Sequence, residues 1–522
     1  MSENSSTPEW RPRASPWLIA VAAMAATFME VLDTSIANVA LPHIAGSLSA
    51  SNDQSTWVLT SYLVANAIVL PATGWLGSRF GRKRFLLACI AVFTASSVLC
   101  GLATSLGMLI LARILQGAGG GALQPISQAV LLESFPPARR GVAMAIFGLG
   151  VVVAPVVGPT LGGWLTDNYS WRWIFYVNVP IGVLAILMAR AFVEDPSYLK
   201  NGARTRIDYV GFALLALWLA TLQIVLDKGQ EADWFSATWI RWFSAVSIAA
   251  FVAFVVWELR EREPIVDLRV LADRNFATGT ALITVVGLVL YGSIAVLPLF
   301  LQTLLGYSAL ESGLAVSPRG VGAIFAMLVV GRLVGALDTR LLLAFGFGLM
   351  AFSAEMLSHV DLVISMKNVA WPNVINGISI GFLFVPLTVT AMGTLRKEQI
   401  GNATGLYNLT RNIGGSIGIS LVTTLLARRA QVHQVMLAAH VTPYDGAAQQ
   451  YLLTLQQGFA PGTDAVDGAR QALAALYAVV VKQATLLAFV DIFRFLAIVA
   501  LLCVPFVLLL RKSKPQGPVA IH

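Results

Sequence analysis

Five stretches of this chain, 54–78, 85–112, 141–166, 275–310 and 368–395, contain no Asp, Glu, Lys or Arg. A helix crosses the hydrocarbon core of a bilayer with about 20 mostly apolar residues. Each run is long enough, and a water-soluble helix of that length would need a polar face. Only 12% of the 522 residues are charged, roughly half the share of an ordinary soluble domain. A large soluble enzyme, a disordered chain and a disulfide scaffold are thereby excluded. The three cysteines, Cys89, Cys100 and Cys503, lie in apolar runs with no metal or redox spacing, so packing is their default role. A net charge of +8 would suit nucleic acid only if the basic residues shared a solvated face. They form short clusters between uncharged stretches instead, and the partner they imply is a lipid bilayer.

Fourteen spanning helices are expected at about 17–42, 55–76, 85–104, 107–132, 141–165, 173–193, 210–227, 238–258, 277–303, 311–334, 341–358, 372–394, 402–427 and 487–510. Counting Lys and Arg sets the orientation. With the N-terminus cytoplasmic, 22 of the 35 fall in inner segments, seven in outer segments and six inside spans. Inner positions include Arg79–Arg84, Lys200–Arg206 and Arg511–Lys514; both termini are therefore expected in the cytoplasm. The chain opens with a polar stretch and no cleavage-site pattern follows the first span, which predicts a retained helix rather than a signal peptide.

Similar sequences recur. Gly74-Trp-Leu76 ends the second span and Gly331-Arg-Leu333 the tenth, 257 residues later. Gly141-Val-Ala143 and Gly401-Asn-Ala403 open the fifth and thirteenth, 260 apart. Near-equal offsets predict a duplicated six-helix unit with two helices inserted between the copies. Paired parallel repeats with a substrate site between them describe one class of secondary transporter. The expected organisation is a tail at 1–16, a six-helix bundle at 17–193, a linker with two extra helices at 194–276, and a second bundle at 277–510. That second bundle includes an outer segment at about 428–485, and a tail at 511–522 follows. The inner loop 260–275 carries both signs of charge and is expected on the membrane surface.

Charge inside a span is expensive, so each such residue is a functional candidate. Glu30 and Asp33 lie near the middle of the first helix, three apart and so on one face. Burial and a like-charged neighbour suit such carboxylates to proton exchange; carboxylates kept for packing are the alternative. Arg113, followed by Gln116 and Gly117, cannot shed its charge and needs an acidic or carbonyl partner, Asp33 or Glu30 being the natural one. Pro155, Gly158, Pro159 and Gly162 make the fifth span a closely packed hinge. In the second half, Arg319 and Glu355 are expected to pair across helices, Asp491 and Arg494 to satisfy each other, and Arg411 to sit mid-helix. Asn38, Tyr62, Asn66, Tyr291, Asn376 and Tyr407 are candidates to line a cavity with Arg319, Glu355 and Arg411, or to glue helices together. The loop residues Arg79 and Gly81, with Gly74, are candidates for a latch against the other bundle. His433 and His440 stand seven apart with nothing to complete a metal site, so solvated surface is expected.

Leu32–Pro42, Gly74-x-Leu76-x-x-Arg79-x-Gly81-Arg-Lys, Arg113-x-x-Gln116-Gly117, Gly158-Pro159-x-x-Gly162-Gly163 and Trp171-Arg-Trp-Ile-Phe-x-x-Asn178-x-Pro180 together resemble the fourteen-helix drug:proton antiporter branch of the major facilitator superfamily. The resemblance covers nearly the whole chain. The stretches Leu222–Phe235, Pro264–Leu268 and Asn408–Ser416 and the long outer segment resemble its inner-membrane multidrug exporters. It implies an all-α membrane protein of two six-helix bundles plus two inserted helices. The implied activity is proton-driven export of hydrophobic, drug-like compounds across a bacterial inner membrane, with a periplasmic adaptor and an outer-membrane channel as partners. Asp33 and Arg113 would carry the proton coupling. Departures are Ser78, where the loop motif usually has an acid; Glu30, which would then tune substrate charge; and Arg319, which would favour acidic substrates.

The rival readings are a proton-coupled importer of a metabolite and, more remotely, an integral-membrane enzyme. The latter would need a nucleophile–base pair or metal ligands that the motifs do not supply. No catalytic group, metal, cofactor or nucleotide-binding loop is expected.

Overall fold

The computed structural model describes residues 12–136, 139–195, 208–442, 444–459 and 465–511. The first eleven residues, the basic segment at 200–206 and the tail from 512 onward lie outside the described residues. Thirteen described helices are long and apolar enough to cross a membrane. They are α1 (Pro16–Ser47), α2 (Trp57–Phe80), α3 (Arg82–Gly101), α4 (Leu106–Ser134), α5 (Arg140–Asn168), α6 (Trp173–Phe192), α7 (Tyr209–Lys228), α8 (Thr238–Arg260), α9 (Arg274–Thr303), α10 (Glu311–Leu333), α11 (Thr339–Leu357), α12 (Met366–Met392) and α14 (Ala465–Phe506). A fourteenth, α13 (Ile400–Ala438), packs among them. Asn402, Thr404, Asn408, Thr410, Arg411 and Asn412 make it too polar to stand alone in lipid, and its neighbours shield them. All fourteen expected spans are helical.

The helices α1–α6 form one bundle and α9–α14 another, with matching internal packing. Thus α1 lies on α5 as α9 lies on α13, and α2 lies on α4 as α10 lies on α12. The repeat also closes the molecule at the end carrying the basic loops. There a Cβ on Gly74 would fall 2.5 Å from the Asn402 nitrogen, and one on Gly141 would fall 2.8 Å from the Gly331 oxygen. Only glycine admits such approach. The same four glycines that mark the duplication in sequence therefore meet across the bundle interface, α2 against α13 and α5 against α10.

The inserted pair behaves differently. Helices α7 and α8 pack on each other, and α7 leans on both α2 and α13. Near the end opposite the basic loops, Lys228 Nζ donates to Thr56 Oγ1 at 2.5 Å and Thr60 Oγ1 to Asp227. On the other side, Ser416 Oγ donates to Gln223 at 2.9 Å and Trp234 Nε1 to Thr424 Oγ1 at 3.1 Å. The loop after α8 is docked rather than lying loose. Asp267 N and O exchange hydrogen bonds with the Asn402 side chain at 3.1 and 2.9 Å, and Ile265 and Val266 are buried.

Helices α13 and α14 are longer than a bilayer crossing needs, and a short helix, Gly446–Phe459, lies between them in the chain. At 1.5 Å per residue, the 42 residues of α14 extend about 60 Å, twice the hydrocarbon thickness. Asp491 corrects one expected pairing: it binds Arg429 and His433 of α13, both at 2.7 Å, while Arg494 is exposed. Among the described residues no group of three or more His, Cys, Asp or Glu could hold a metal.

Candidate functional site

Proline at the first position of α1 starts the helix without losing a hydrogen bond. Its apolar length then carries Glu30 and Asp33 into the protein interior, 5% and 1% exposed. The two carboxylates share a face and reach different partners. Asp33 Oδ2 accepts from Arg113 Nη1 at 2.6 Å. Its Oδ1 accepts from Gln116 Nε2 at 2.8 Å and Asn178 Nδ2 at 2.7 Å. Three donors on one side chain satisfy an ionised carboxylate.

Arg113 is 0% exposed, with its Nε and Nη1 bonded and its Nη2 without an acceptor among the described residues. Its Nε donates to Val58 O at 3.1 Å and its Nη1 also donates to Gln116 Oε1 at 2.7 Å. The guanidinium lies 4.1 Å from the Tyr62 ring centroid and 5.7 Å from that of Phe175. Ser97 Oγ accepts from both Gln116 and Asn178, fixing the amides that orient Asp33. Of the two acids that could have served Arg113, the structure pairs it with Asp33.

Glu30 touches no arginine directly. Gln124 Nε2 donates to its Oε2 at 2.6 Å; Asn66 Nδ2 and Tyr62 Oη donate to its Oε1 at 3.1 and 3.4 Å. Gln124 Oε1 in turn accepts from Arg411 of α13, and Asn408 Nδ2 donates to Gln128 Oε1 at 2.6 Å. A polar chain thus runs from Glu30 in the first bundle to Arg411 in the second.

The remaining candidates divide. Tyr62, Asn66, Asn376, Tyr407, Arg319 and Arg411 are buried. Tyr407 Oη accepts from Thr388, and Tyr291 packs its ring on Gly415. Asn38 is exposed, donating to Thr34 O one turn back. Arg319 and Glu355 do not pair. Arg319 Nη2 donates to Ser293 Oγ at 3.2 Å and Asn373 Oδ1 at 3.0 Å, while Glu355 is exposed at the end of α11 beside His359. Glu355 lies two residues from the end of its helix, so the span around it ends before the charge is buried.

The conformational motifs sit where the bundles or helices meet. On α5, Pro159 has no N–H for the carbonyl of Pro155, and Ser35 Oγ of α1 donates to that carbonyl at 3.3 Å. Gly158 faces Ser35 and Gly162 faces Ile36, so α1 and α5 approach closely. Gly117 lies against the Tyr62 backbone. At the basic loop, Gly81 has φ 85°, a turn that disfavours any side chain. Ser78, in the place of the motif's usual acid, only donates to Trp75 O at 2.8 Å. Two acids not singled out in the sequence serve the loop. Glu133 pairs with Arg82 at 2.6 Å, and Asp195 accepts from Lys83 N at 2.8 Å. Gln124 and Gln128 were also not legible as site residues, because neutral amides leave no mark against a polar helix-glue background; Asn178 stood out only as part of a motif, with no role assigned.

The chain is similar to known membrane proteins. The family model of the Major Facilitator Superfamily matches residues 23–419. The multidrug export protein EmrB of Escherichia coli K12 is 41% identical over 433 residues, 83% of this chain and 84% of that one. The fatty acid resistance protein FarB of Neisseria gonorrhoeae is 38% identical over 494 residues, 94% and 95% of the two chains. The crystal structure of the human organic anion transporter MFSD10 superposes with a TM-score of 0.60 at 12% identity, covering 94% of this chain and 100% of that one, a likeness of fold alone. With two matched six-helix bundles, a buried acid–arginine pair and relatives of this closeness, the chain belongs to the major facilitator superfamily as a multi-pass membrane transporter.

Proposed function

We propose that Asp33 is the proton-carrying group of this multidrug efflux antiporter and that Arg113 is its switchable counter-ion. The observation that carries the reading is the 2.6 Å ion pair between two side chains 1% and 0% exposed. A buried pair is stable only while both charges are present, and removing one leaves the other uncompensated at a cost of about 3–5 kcal/mol. Protonating Asp33 removes one. That energy is then available to favour a rearrangement in which the neutral acid, or Arg113, finds other partners. Gln116 and Asn178 hold the carboxylate in place, and Tyr62 links the pair to Glu30. Glu30 is a second acid whose amide partner Gln124 also binds Arg411, so its state is felt across the bundle interface. A drug arriving between the bundles would exchange with the proton by competing for the same polar chain.

The excess of basic residues at the end where Gly74 meets Asn402 supports placing that end, and both termini, in the cytoplasm of an inner membrane. The projection of α13 and α14 then lies on the periplasmic side. There it is a suitable dock for an adaptor and, through it, an outer-membrane channel. Export rather than import follows from the likeness to multidrug exporters, and the direction of flux in oriented vesicles separates the two.

The test is Asp33→Asn in proteoliposomes with an imposed pH gradient. The wild type should move drug against its gradient and release protons on drug binding. The variant should keep drug binding within about threefold and lose both proton release and uphill transport. Retained proton-linked transport in the variant would remove Asp33 from the mechanism.

A further inference from the structure

The duplication makes the second bundle a comparison built into the chain. The 260-residue offset carries Asp33 onto Ser293, Arg113 onto Asn373 and Gly117 onto Gly377; the 257-residue offset carries Tyr62 onto Arg319. The structure keeps these equivalences. A Cβ on Gly117 would collide with the carbonyl oxygen of Tyr62, and one on Gly377 with that of Arg319. Ser293, Arg319 and Asn373 likewise meet, joined by the hydrogen bonds of Arg319 Nη2. The same three-helix junction therefore exists twice, with an acid in one copy and none in the other.

Arg319 is 3% exposed, and its Nε and Nη1 have no acceptor among the described residues. Nor does any described carboxylate lie within ion-pair distance of it; both of its partners are neutral. One turn away the wall is buried and mostly apolar, with Val289 and Val296 on α9, Ala323 on α10 and Val369 on α12, and Asn376 on α12 is its polar member. A guanidinium cannot relieve this by losing its proton. What compensates such a group is an anion, through charge-assisted hydrogen bonds to the unused nitrogens.

We propose that Arg319, with Ser293 and Asn373 positioning it, is an anion subsite on the translocation path, taking the carboxylate of an amphipathic substrate whose apolar body lies against the surrounding helices. The inference rests on the transport reading and deepens it: the first bundle manages the proton and the second reads substrate charge. The acidic headgroup of a lipid offers related chemistry, so the experiment contains an arm for it.

The experiment uses the full chain in phosphatidylcholine nanodiscs, titrated with 1-pyrenebutanoate and, separately, with its uncharged methyl ester, binding being read from quenching of protein fluorescence. Arg319→Gln should weaken the acid by about tenfold, the worth of one charge-assisted hydrogen bond, and leave the ester unchanged. Arg319→Lys should fall between. Ser293→Asp should abolish the preference for the acid while keeping ester binding, because it supplies at the equivalent position the carboxylate that Asp33 supplies to Arg113. Ester binding also reports that each variant is folded. An acid-to-ester ratio unaffected by Arg319→Gln and Ser293→Asp overturns the proposal. So does displacement of the acid by phosphatidylglycerol in the disc, which would make the subsite a lipid site. Failure here is distinct from failure of the proton reading. A chain that exports neutral drug through Asp33 but shows no charge preference sinks only the anion subsite; a charge preference without proton-linked transport sinks only the other.

Discussion

The two bundles hold the same polar junction at the same place and charge it in opposite ways. In the first, the cation is on α4 and the anion on α1, 2.6 Å apart and surrounded by donors that suit an ionised acid. In the second, the cation has moved to α10 and its neighbours are a hydroxyl and an amide. The Asp33–Arg113 pair of the first half is self-neutral, with Glu30 a second acid beside it. At the equivalent place the second half has Arg319 with two neutral partners and no carboxylate beside it among the described residues. Three side chains differ between the two copies of the duplicated scaffold, while the backbone contacts of Gly117 and Gly377 are preserved.

The largest effect that would break this contrast is on stability. Arg113→Gln strips Asp33 of its counter-ion and should cost about 3–5 kcal/mol. Arg319→Gln removes a cation that has no acid and should be neutral or stabilising, since an unpaired buried charge is itself a penalty. Unfolding of the two purified variants in the same detergent measures the difference. Equal destabilisation would mean that Arg319 is compensated after all and that the bundles do not differ in this way.

Much of the first junction was legible in the sequence, and the reason is depth. Asp33, Glu30 and Arg113 each interrupt an apolar run, and an arginine that cannot deprotonate calls for an acid, so Arg113 could be matched to Asp33 or Glu30; the fold selects Asp33, 80 positions away. Thirteen of the helices were legible as apolar length, and the polar α13 is the exception. What failed was pairing by proximity. Asp491 and Arg494 are three apart, but α14 turns Asp491 toward α13 and Arg494 away from it, and the partners came from Arg429 and His433. Glu355 was matched to Arg319 on charge alone, although it sits at a helix end and is exposed. The amides Gln124, Gln128 and Asn178 carry no net charge to flag them. Only the fold shows that Gln124 and Gln128 bridge the bundles.

The glycine contacts sharpen the comparison at the scale of whole helices. If the bundles are related by a true two-fold, Gly74 against Asn402 and Gly331 against Gly141 are one interaction seen twice. Gly74→Val and its repeat equivalent Gly331→Val should then each disfavour the closed basic end by similar amounts, about 1–3 kcal/mol of overpacking. A cysteine replacing Thr404, fully buried in α13 near that end, should become several-fold faster to react with a water-soluble maleimide in both variants. A large response to one valine and none to the other would show that one seam, not the pair, controls opening.

The smallest effects test the residue that Arg319 replaced. Tyr62 offers a ring face to Arg113, 4.1 Å from the guanidinium carbon, and a hydroxyl to Glu30 at a longer 3.4 Å. A desolvated cation–π contact is worth about 2 kcal/mol, whereas so long a hydrogen bond contributes at the low end of the usual range, about 0.5 kcal/mol. Tyr62→Leu should therefore weaken the fold by more than Tyr62→Phe, by about 1–2 kcal/mol, with unfolding of the two variants as the measure. If Tyr62→Phe proved the more damaging, the hydroxyl would be the active part and Tyr62 would serve Glu30 before Arg113. The first junction would then be organised around two acids, and the three-for-three exchange between the bundles would lose its simplest term.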